Sequence, residues 1–242
     1  MTQSADPSVA TPATVDGRRL LATIAAAVIA GAVIGSATYY GLHWLIPSLN
    51  AGLRTQVIVA GVYCAFIAAL AISFGPLPRA PFGLRFTSGK DLGLACLAWF
   101  GIMGCSLTIY FVLSPITGGV STALRQILTV ATDAKRLVGQ PESAWIVAIA
   151  RGCLIVPLFE ELLFRGLLLG WLGKHMSVPR AIIVSAILFA VMHGYPIVLP
   201  FAFVAGLFLG WVRERTGSTF NTLVVHVLNN VLFLCLGVWL LR

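Results

Sequence analysis

Two adjacent glutamates and an arginine, Glu160, Glu161 and Arg165, lie inside an otherwise apolar stretch of the sequence. A charge at the centre of a membrane-spanning helix costs about 2.5–3.5 kcal/mol on insertion scales, so these residues are expected to be paired or used in a function. On a helix, Arg165 follows Glu161 by four positions and shares its face, whereas Glu160 is rotated from Glu161 by about 100°. We therefore predict that Glu161 and Arg165 form an ion pair and that Glu160 is the reactive group.

Three further polar residues lie in later apolar stretches of the chain. His193 stands at the end of one stretch, and His226 and Asn230, four positions apart, share one face of the last predicted helix. At a rise of about 1.5 Å per residue, these three residues and Glu160 lie roughly 10–22 Å from the inner ends of their helices. We therefore predict that all four come together in the interior of the membrane.

The four residue types suit the hydrolysis of a carbonyl compound by activated water. Glu160 would take a proton from the water that His193 orients, and His226 and Asn230 would donate hydrogen bonds to the oxyanion of the tetrahedral intermediate. Asn and His side chains also hydrogen-bond helices together in membranes, which is the simpler explanation for any one of them alone. The presence of the whole set favours a catalytic function.

The composition is that of a polytopic membrane protein. Of the 242 residues, 59% are hydrophobic and only 10% are charged, whereas about a quarter of the residues of an average soluble protein are charged. The net charge of +8 comes from basic residues that are scattered at the ends of apolar stretches and form no block or stripe. We therefore expect the lipid bilayer, and no nucleic acid, as the partner of this surface.

Runs of about 20 apolar residues predict an all-α fold, a transmembrane bundle of about seven helices. The predicted spans are near 20–45, 56–75, 92–114, 144–171, 178–195, 197–213 and 219–241. Residues 1–17 are expected to form a disordered tail, and residues 115–143 a helix on the membrane surface, with a plain loop as the alternative. The expected organisation is this tail, N-terminal helices and their connection over 18–143, and a catalytic core over 144–242.

The basic residues also predict the orientation of the chain, because cytoplasmic loops carry an excess of Lys and Arg. With the N-terminus inside, the cytoplasmic segments hold Arg18, Arg19, Arg79, Arg85, Lys90, Lys174, Arg180, Arg213 and Arg215. The outer segments hold Arg54, Arg125, Lys135, Arg136 and Arg242. We expect an integral protein of a bacterial or archaeal plasma membrane with a cytoplasmic N-terminus.

The polar residues resemble the three motifs of the CAAX-protease and bacteriocin-processing family of intramembrane proteases, in the order that the family shows. The motifs are Glu-Glu-x-x-x-Arg at 160–165, Phe-x-x-x-His at 189–193 and His-x-x-x-Asn at 226–230. The resemblance covers about residues 144–242 and implies a conical active-site core formed by the last four helices. It implies CAAX-type cleavage of a membrane-associated protein or peptide. The implied roles are a general base for Glu160, water positioning for His193, oxyanion binding for His226 and Asn230, and support for Glu161 and Arg165.

Other membrane-protease chemistries lack their motifs. The sequence has no H-E-x-x-H, no G-x-S-G and no G-x-G-D. Zinc bound by Glu160, His193 and His226 is the alternative to a reaction without a cofactor. We favour the metal-free glutamate reaction because His226 and Asn230 look like a pair of hydrogen-bond donors and Asn is an uncommon zinc ligand.

Two other functions remain open. The chain could be a non-proteolytic immunity or scaffold protein of the same fold, or a transporter that uses Glu160 and the histidines as a proton relay. Arg151, nine residues before Glu160, is expected to extend outward to the membrane surface, with a contact to a substrate carboxylate as the alternative.

Overall fold

The computed structural model describes residues 16–48, 51–76, 82–116, 118–119, 122, 124–125 and 142–241. Within these residues seven helices follow one another and no strand is present. They are α1 (Gly17–Leu45), α2 (Ala51–Phe74), α3 (Gly89–Leu113), α4 (residues 142–175), α5 (Val178–Met192), α6 (Leu199–Thr216) and α7 (Thr219–Leu241). The predicted all-α fold is confirmed, and each predicted span corresponds to one helix. The predicted tail and most of the predicted surface helix over 115–143 lie outside the described residues.

The helices have the length and surface of membrane-embedded segments. Helices α1, α2, α3 and α7 are each long and apolar enough to cross a bilayer. Their large apolar side chains are exposed, as at Ile72 and Leu97, which are 84% and 68% exposed. Helix α5 has 15 residues and therefore spans only about 22 Å, less than the roughly 30 Å of a hydrocarbon core. The protein is an integral membrane protein in which α5 is shorter than predicted.

Helix α4 is a continuous helix with two π-helical segments. In order it comprises Glu142–Ile149, the π segment Ala150–Ile155, Val156–Glu161, the π segment Leu162–Leu168, and Leu169–His175. Pro157 follows the first π segment and has no backbone N–H to continue the regular hydrogen-bond pattern. The first π segment therefore ends where the sequence removes a donor, and it changes which side chains face the interior.

The last four helices pack around the middle of α4. Helices α5 and α6 approach closely because Gly206 faces Ala186, where an added Cβ would lie 2.9 Å from the backbone of Ala186. Helix α7 packs against both α4 and α6, whereas α2 and α3 cover the open sides of this group. The centre holds Phe159, Leu162 and Phe189, which are almost completely buried. Helices of the N-terminal half of the chain thus cover the C-terminal helices that carry Glu160, His193, His226 and Asn230.

The loop before α3 holds the start of α7 in place. The N–H of Thr219 donates to the carbonyl of Gly83 over 2.9 Å, and its hydroxyl donates to the carbonyl of Phe82. The side chain of Asn221 donates to the hydroxyl of Thr87 over 2.8 Å. Phe82 is fully buried and lies against Gly166 of α4. This loop therefore fixes the position of α7 relative to α4, on which the arrangement of the polar residues depends.

Candidate active site

A cavity of about 410 Å³ lies between helices α2 to α7. All four residues predicted to react line its wall: Glu160, His193, His226 and Asn230. They come from α4, the end of α5 and α7, and α4 packs against both of the other helices. The cavity thus brings together the residues that the sequence placed at similar depths.

A chain of charged and polar groups leads from the cavity wall into the protein. Glu161 and Arg165 are 0% and 1% exposed, and Arg165 Nη1 donates to Glu161 Oε1 over 2.9 Å, which confirms the predicted ion pair. The same oxygen accepts from His226 Nδ1 at 2.8 Å. His226 Nε2 lies 3.5 Å from Glu160 Oε2, longer than an ordinary N–H···O bond. His226 therefore stands between the two carboxylates with one ring nitrogen toward each.

The contact between His226 and Glu161 shows that Nδ1 of the His226 ring carries a proton. An ionised carboxylate only accepts hydrogen bonds, so Nδ1 must donate to Glu161. The bond fixes the orientation of the ring and leaves Nε2 on the side of Glu160 and the cavity. Glu161 thus acts on the cavity through His226, a contact that the helical spacing within α4 does not reveal.

Phe189 packs at the junction of the three motifs. The guanidinium carbon of Arg165 lies 4.2 Å from the centroid of its ring, a cation–π contact. The same ring meets those of His193 and His226 edge to face, with centroids 4.8 and 5.8 Å away. Among the described residues, Arg165 Nε and Nη2 have no hydrogen-bond acceptor, so the ring face is an important part of the surroundings of this buried charge.

His193 is positioned by the end of α5. It follows the last residue of the helix, and its Nδ1 lies 2.9 Å from the carbonyl of Phe189. A carbonyl only accepts, so Nδ1 donates and Nε2 carries the lone pair. The ring is therefore held in the form that can accept a hydrogen bond from a water molecule in the cavity.

The carboxamide of Asn230 bonds to a carbonyl that α4 leaves without a donor. Its Nδ2 donates to the carbonyl of Gly152 over 2.9 Å. The N–H of Val156 already bonds to Arg151, and the next residue, Pro157, has no N–H, so neither serves Gly152. This bond uses one of the two N–H groups of the carboxamide. The second N–H group is left to donate to a substrate.

Two residues that the sequence analysis did not assign to the site, Arg151 and Tyr63, also line the cavity. Arg151 lines the cavity and its Nε donates to Gln56 of α2, while the expectation that it extends outward stays a prediction. Tyr63 of α2 also lines the cavity, near both Arg151 and Glu160. The available signals were a glutamine within the second apolar stretch and a proline six residues after Arg151.

The predicted zinc ligands do not form a ready ligand set. Among the described residues, no three His, Cys, Asp or Glu side chains are grouped so as to hold a metal ion. Glu160 and His226 are neighbours, and both histidines use Nδ1 for a hydrogen bond, which leaves Nε2 of each ring toward the cavity. Because the three side chains are not grouped, zinc would need His193 to move toward this pair.

Comparison with known proteins identifies the segment that carries the site. Residues 142–232 match the family model described as Rce1-like, type II CAAX prenyl endopeptidase. The match begins at the start of α4 and extends beyond Asn230, so it includes all three motifs. No curated protein and no solved structure matches the chain.

Proposed function

With an Rce1-like domain at residues 142–232 as the premise, we propose that the protein is an intramembrane endopeptidase that cleaves a membrane-associated protein or peptide in a CAAX-type reaction. The observation that carries this proposal is the single cavity lined by Glu160, His193, His226 and Asn230. A base, an imidazole acceptor and two possible donors on one wall are the groups that hydrolysis of a peptide bond requires.

Glu160 acts as the general base in the proposed reaction. Its side chain is 11% exposed, on the cavity wall, so water reaches it while most of the group is shielded. The attacking water transfers one proton to Glu160, and its other O–H, which it keeps, donates a hydrogen bond to Nε2 of His193. Attack on the substrate carbonyl forms a tetrahedral intermediate, and Glu160 then returns the proton to the leaving amine.

His226 and Asn230 stabilise the negative charge of that intermediate. Asn230 uses its second N–H, and His226 uses Nε2 if the ring carries a proton there as well as on Nδ1. Each ring nitrogen of His226 faces a carboxylate oxygen, Nδ1 that of Glu161 and Nε2 that of Glu160, which suits a ring that donates from both nitrogens.

We propose that no metal takes part. The two contacts of His226 with carboxylates and the bond of Asn230 to Gly152 give both residues orientations suited to hydrogen bonding. Were zinc present, Glu160, His193 and His226 would hold it, and it would polarise the carbonyl or water.

Peptide cleavage in liposomes tests the function. Purified wild-type protein and Glu160→Gln would be incubated with a library of lipid-anchored fluorogenic peptides, and the products identified by mass spectrometry. We expect cleavage by the wild-type protein and none above background by Glu160→Gln. Failure of the wild-type protein to cleave any peptide would favour the immunity or scaffold alternative.

We propose a cytoplasmic N-terminus in a bacterial or archaeal plasma membrane, supported by the distribution of basic residues. A reporter fused after Arg242 should then be active outside the cytoplasm. A cysteine introduced at Lys174, an exposed residue in the last turn of α4, should be labelled from the cytoplasmic side. The reverse pattern would overturn this orientation.

A further inference from the structure

Two arginines come together where α6 ends and α7 begins, and neither of them lines the cavity that holds the candidate active site. Arg213 lies in the last turn of α6, and Arg85, from the loop before α3, is one of its charged neighbours. We propose that Arg85 and Arg213 bind the phosphate group of an anionic phospholipid in the surrounding bilayer. This binding does not depend on the endopeptidase reaction proposed above.

Two glycines make room for the guanidinium groups. Gly83 and Gly217 both have a φ of 62°, in the left-handed region that favours glycine. A Cβ on Gly83 would lie 2.7 Å from Nη2 of Arg213, and a Cβ on Gly217 would lie 2.9 Å from Nη2 of Arg85. The same Cβ on Gly83 would lie 3.5 Å from the carbonyl oxygen of Gly217, so the two glycines are neighbours. The two guanidinium groups are therefore held at one small junction between the loop and the end of α6.

The protein supplies little negative charge to this pair. Within the described part of the chain, Arg213 Nε is buried without a hydrogen-bond partner. Glu214 is an acidic neighbour of Arg213, but no ion pair joins it to either arginine in that part of the chain. Two cations that are brought together and partly shielded from water repel each other unless an anion lies between them. A phosphate suits this position because its oxygens accept from the planar N–H forks of two arginines.

The junction lies at a face of the membrane. Helix α7, which is long and apolar enough to cross a bilayer, begins there at Thr219. Phe86 is 83% exposed and its ring centroid lies 4.2 Å from that of Phe220, while the guanidinium carbon of Arg215 lies 5.8 Å from the centroid of the Trp211 ring. Aromatic rings and basic side chains together are typical of the boundary at which phospholipid headgroups lie. The phosphate that the two arginines meet is therefore that of a lipid, whose acyl chains can contact the exposed ring of Phe86.

A bound phosphate would join two parts of the chain. Arg85 belongs to the loop that also holds the start of α7, where the N–H of Thr219 donates to the carbonyl of Gly83. Arg213 belongs to α6. One anion between the two cations removes their repulsion and links the loop to α6. Lipid binding should therefore stabilise the arrangement of α6, α7 and the loop.

Isothermal titration calorimetry in a neutral detergent tests the site with three ligands. Dioctanoyl phosphatidylglycerol carries the phosphate, dioctanoylglycerol has the same acyl chains without a phosphate, and inorganic phosphate has no acyl chains. Because the bonds to the phosphate are charge-assisted, the wild-type protein should bind phosphatidylglycerol roughly 10- to 100-fold more tightly than dioctanoylglycerol. It should also bind phosphatidylglycerol more tightly than inorganic phosphate, which lacks the apolar contacts.

Variants locate the binding at the two arginines. Arg85→Gln and Arg213→Gln should each lose most of the preference for phosphatidylglycerol over dioctanoylglycerol, because each removes one of the two cations. Arg180→Gln is the matched control: Arg180 is an exposed cation in the first turn of α5, so this variant loses the same charge and should keep the wild-type preference. Arg85 is exposed, and Arg85→Gln therefore serves even where Arg213→Gln does not fold.

Three results would overturn the site. Equal affinity of the wild-type protein for phosphatidylglycerol and dioctanoylglycerol would show that the phosphate is not recognised. A preference that Arg85→Gln keeps, or loses no more than Arg180→Gln does, would assign the binding to general surface charge. Inorganic phosphate that binds as tightly as phosphatidylglycerol would make a soluble anion, and not a lipid, the occupant.

Melting curves measure the effect of the bound lipid on the fold. Saturating phosphatidylglycerol should raise the melting temperature of the wild-type protein by roughly 2–8 °C relative to dioctanoylglycerol. Arg85→Gln should show little of this rise, and Arg180→Gln should show all of it. A rise that persists in full in Arg85→Gln would contradict the link between the loop and α6. Neither experiment involves cleavage, so failure of the lipid site and failure of the endopeptidase are observed separately.

Discussion

The two central glutamates of α4 are neighbours in sequence and occupy different surroundings. Glu160 lines the cavity with its side chain 11% exposed, and its closest charged partner, among those described, is His226 at 3.5 Å. Glu161 is completely buried and accepts from both Arg165 and His226, at 2.9 and 2.8 Å. The cause is the rotation of about 100° between adjacent helical residues, which directs one toward the cavity and the other toward the packed interior.

One helix therefore carries an accessible carboxylate next to a buried ion pair. A buried ion pair adds little net stability, yet removal of one partner leaves an uncompensated charge. Loss of either Glu161 or Arg165 therefore leaves the other charge buried without a partner, and Glu161 also orients the ring of His226 at the cavity. Glu160 is not part of this ion pair, and its carboxylate can exchange a proton with water. Substitutions at the two positions should affect different properties.

Glu160→Gln should have the largest effect on activity. Loss of a general base lowers kcat by roughly 10²–10⁴-fold, and the neutral amide of similar shape should leave thermal stability nearly unchanged. Cleavage rates and melting curves in the same detergent would measure both. A variant that retained a tenth of wild-type activity would contradict the assignment of Glu160 as the base.

Glu161→Gln should instead lower the stability of the folded protein. It leaves the buried Arg165 without its carboxylate, a change that costs about 3–5 kcal/mol. The control is the double variant Glu161→Leu, Arg165→Leu, which removes both charges and should regain stability but not activity, because His226 still lacks its Nδ1 partner. Equal melting temperatures for Glu160→Gln and Glu161→Gln would contradict the conclusion that Glu161, and not Glu160, is needed for stability.

Asn230→Ala should lower kcat by roughly 10²–10³-fold with little change in KM, the effect of removing one oxyanion donor. Some loss of stability should accompany it, because the Gly152 carbonyl loses its partner. Asn229→Ala is the matched control, since Asn229 lines the same cavity and has no role in the proposed reaction. Similar losses of kcat in Asn229→Ala and Asn230→Ala would show that any substitution in this part of α7 disturbs the cavity, and would contradict a specific role for Asn230.

Removal of metal ions should have the smallest effect, namely none. If Glu160 activates water without zinc, activity should survive incubation with strong chelators, and dialysed protein should contain far less than one zinc per chain. Elemental analysis and cleavage rates on the same sample would test this. Loss of activity on chelation with recovery on added zinc would overturn the metal-free reaction, most decisively if Asn230→Ala were also nearly fully active.

Spacing within single helices was enough to predict the helices and the residues of the site. The pairing of Glu161 with Arg165 follows from the four-residue period, which is a local property of any α-helix. The gathering of Glu160, His193, His226 and Asn230 follows from the need of polar groups in a membrane to share a protected interior. The catalytic roles of these residues stay predictions.

Contacts between helices were decided only by the tertiary structure. The bond of His226 to Glu161 and the packing of Phe189 on Arg165 depend on how far α5 and α7 are rotated toward α4. The position of Arg151 depends on the π segment Ala150–Ile155, whose wider turns rotate the chain less per residue than an α-helix does. The segment ends just before Pro157, which has no N–H to donate. A periodic reading assumes a uniform rotation per residue. The helical period therefore grouped Glu160, His193, His226 and Asn230, which line one cavity, but did not place Arg151 beside them.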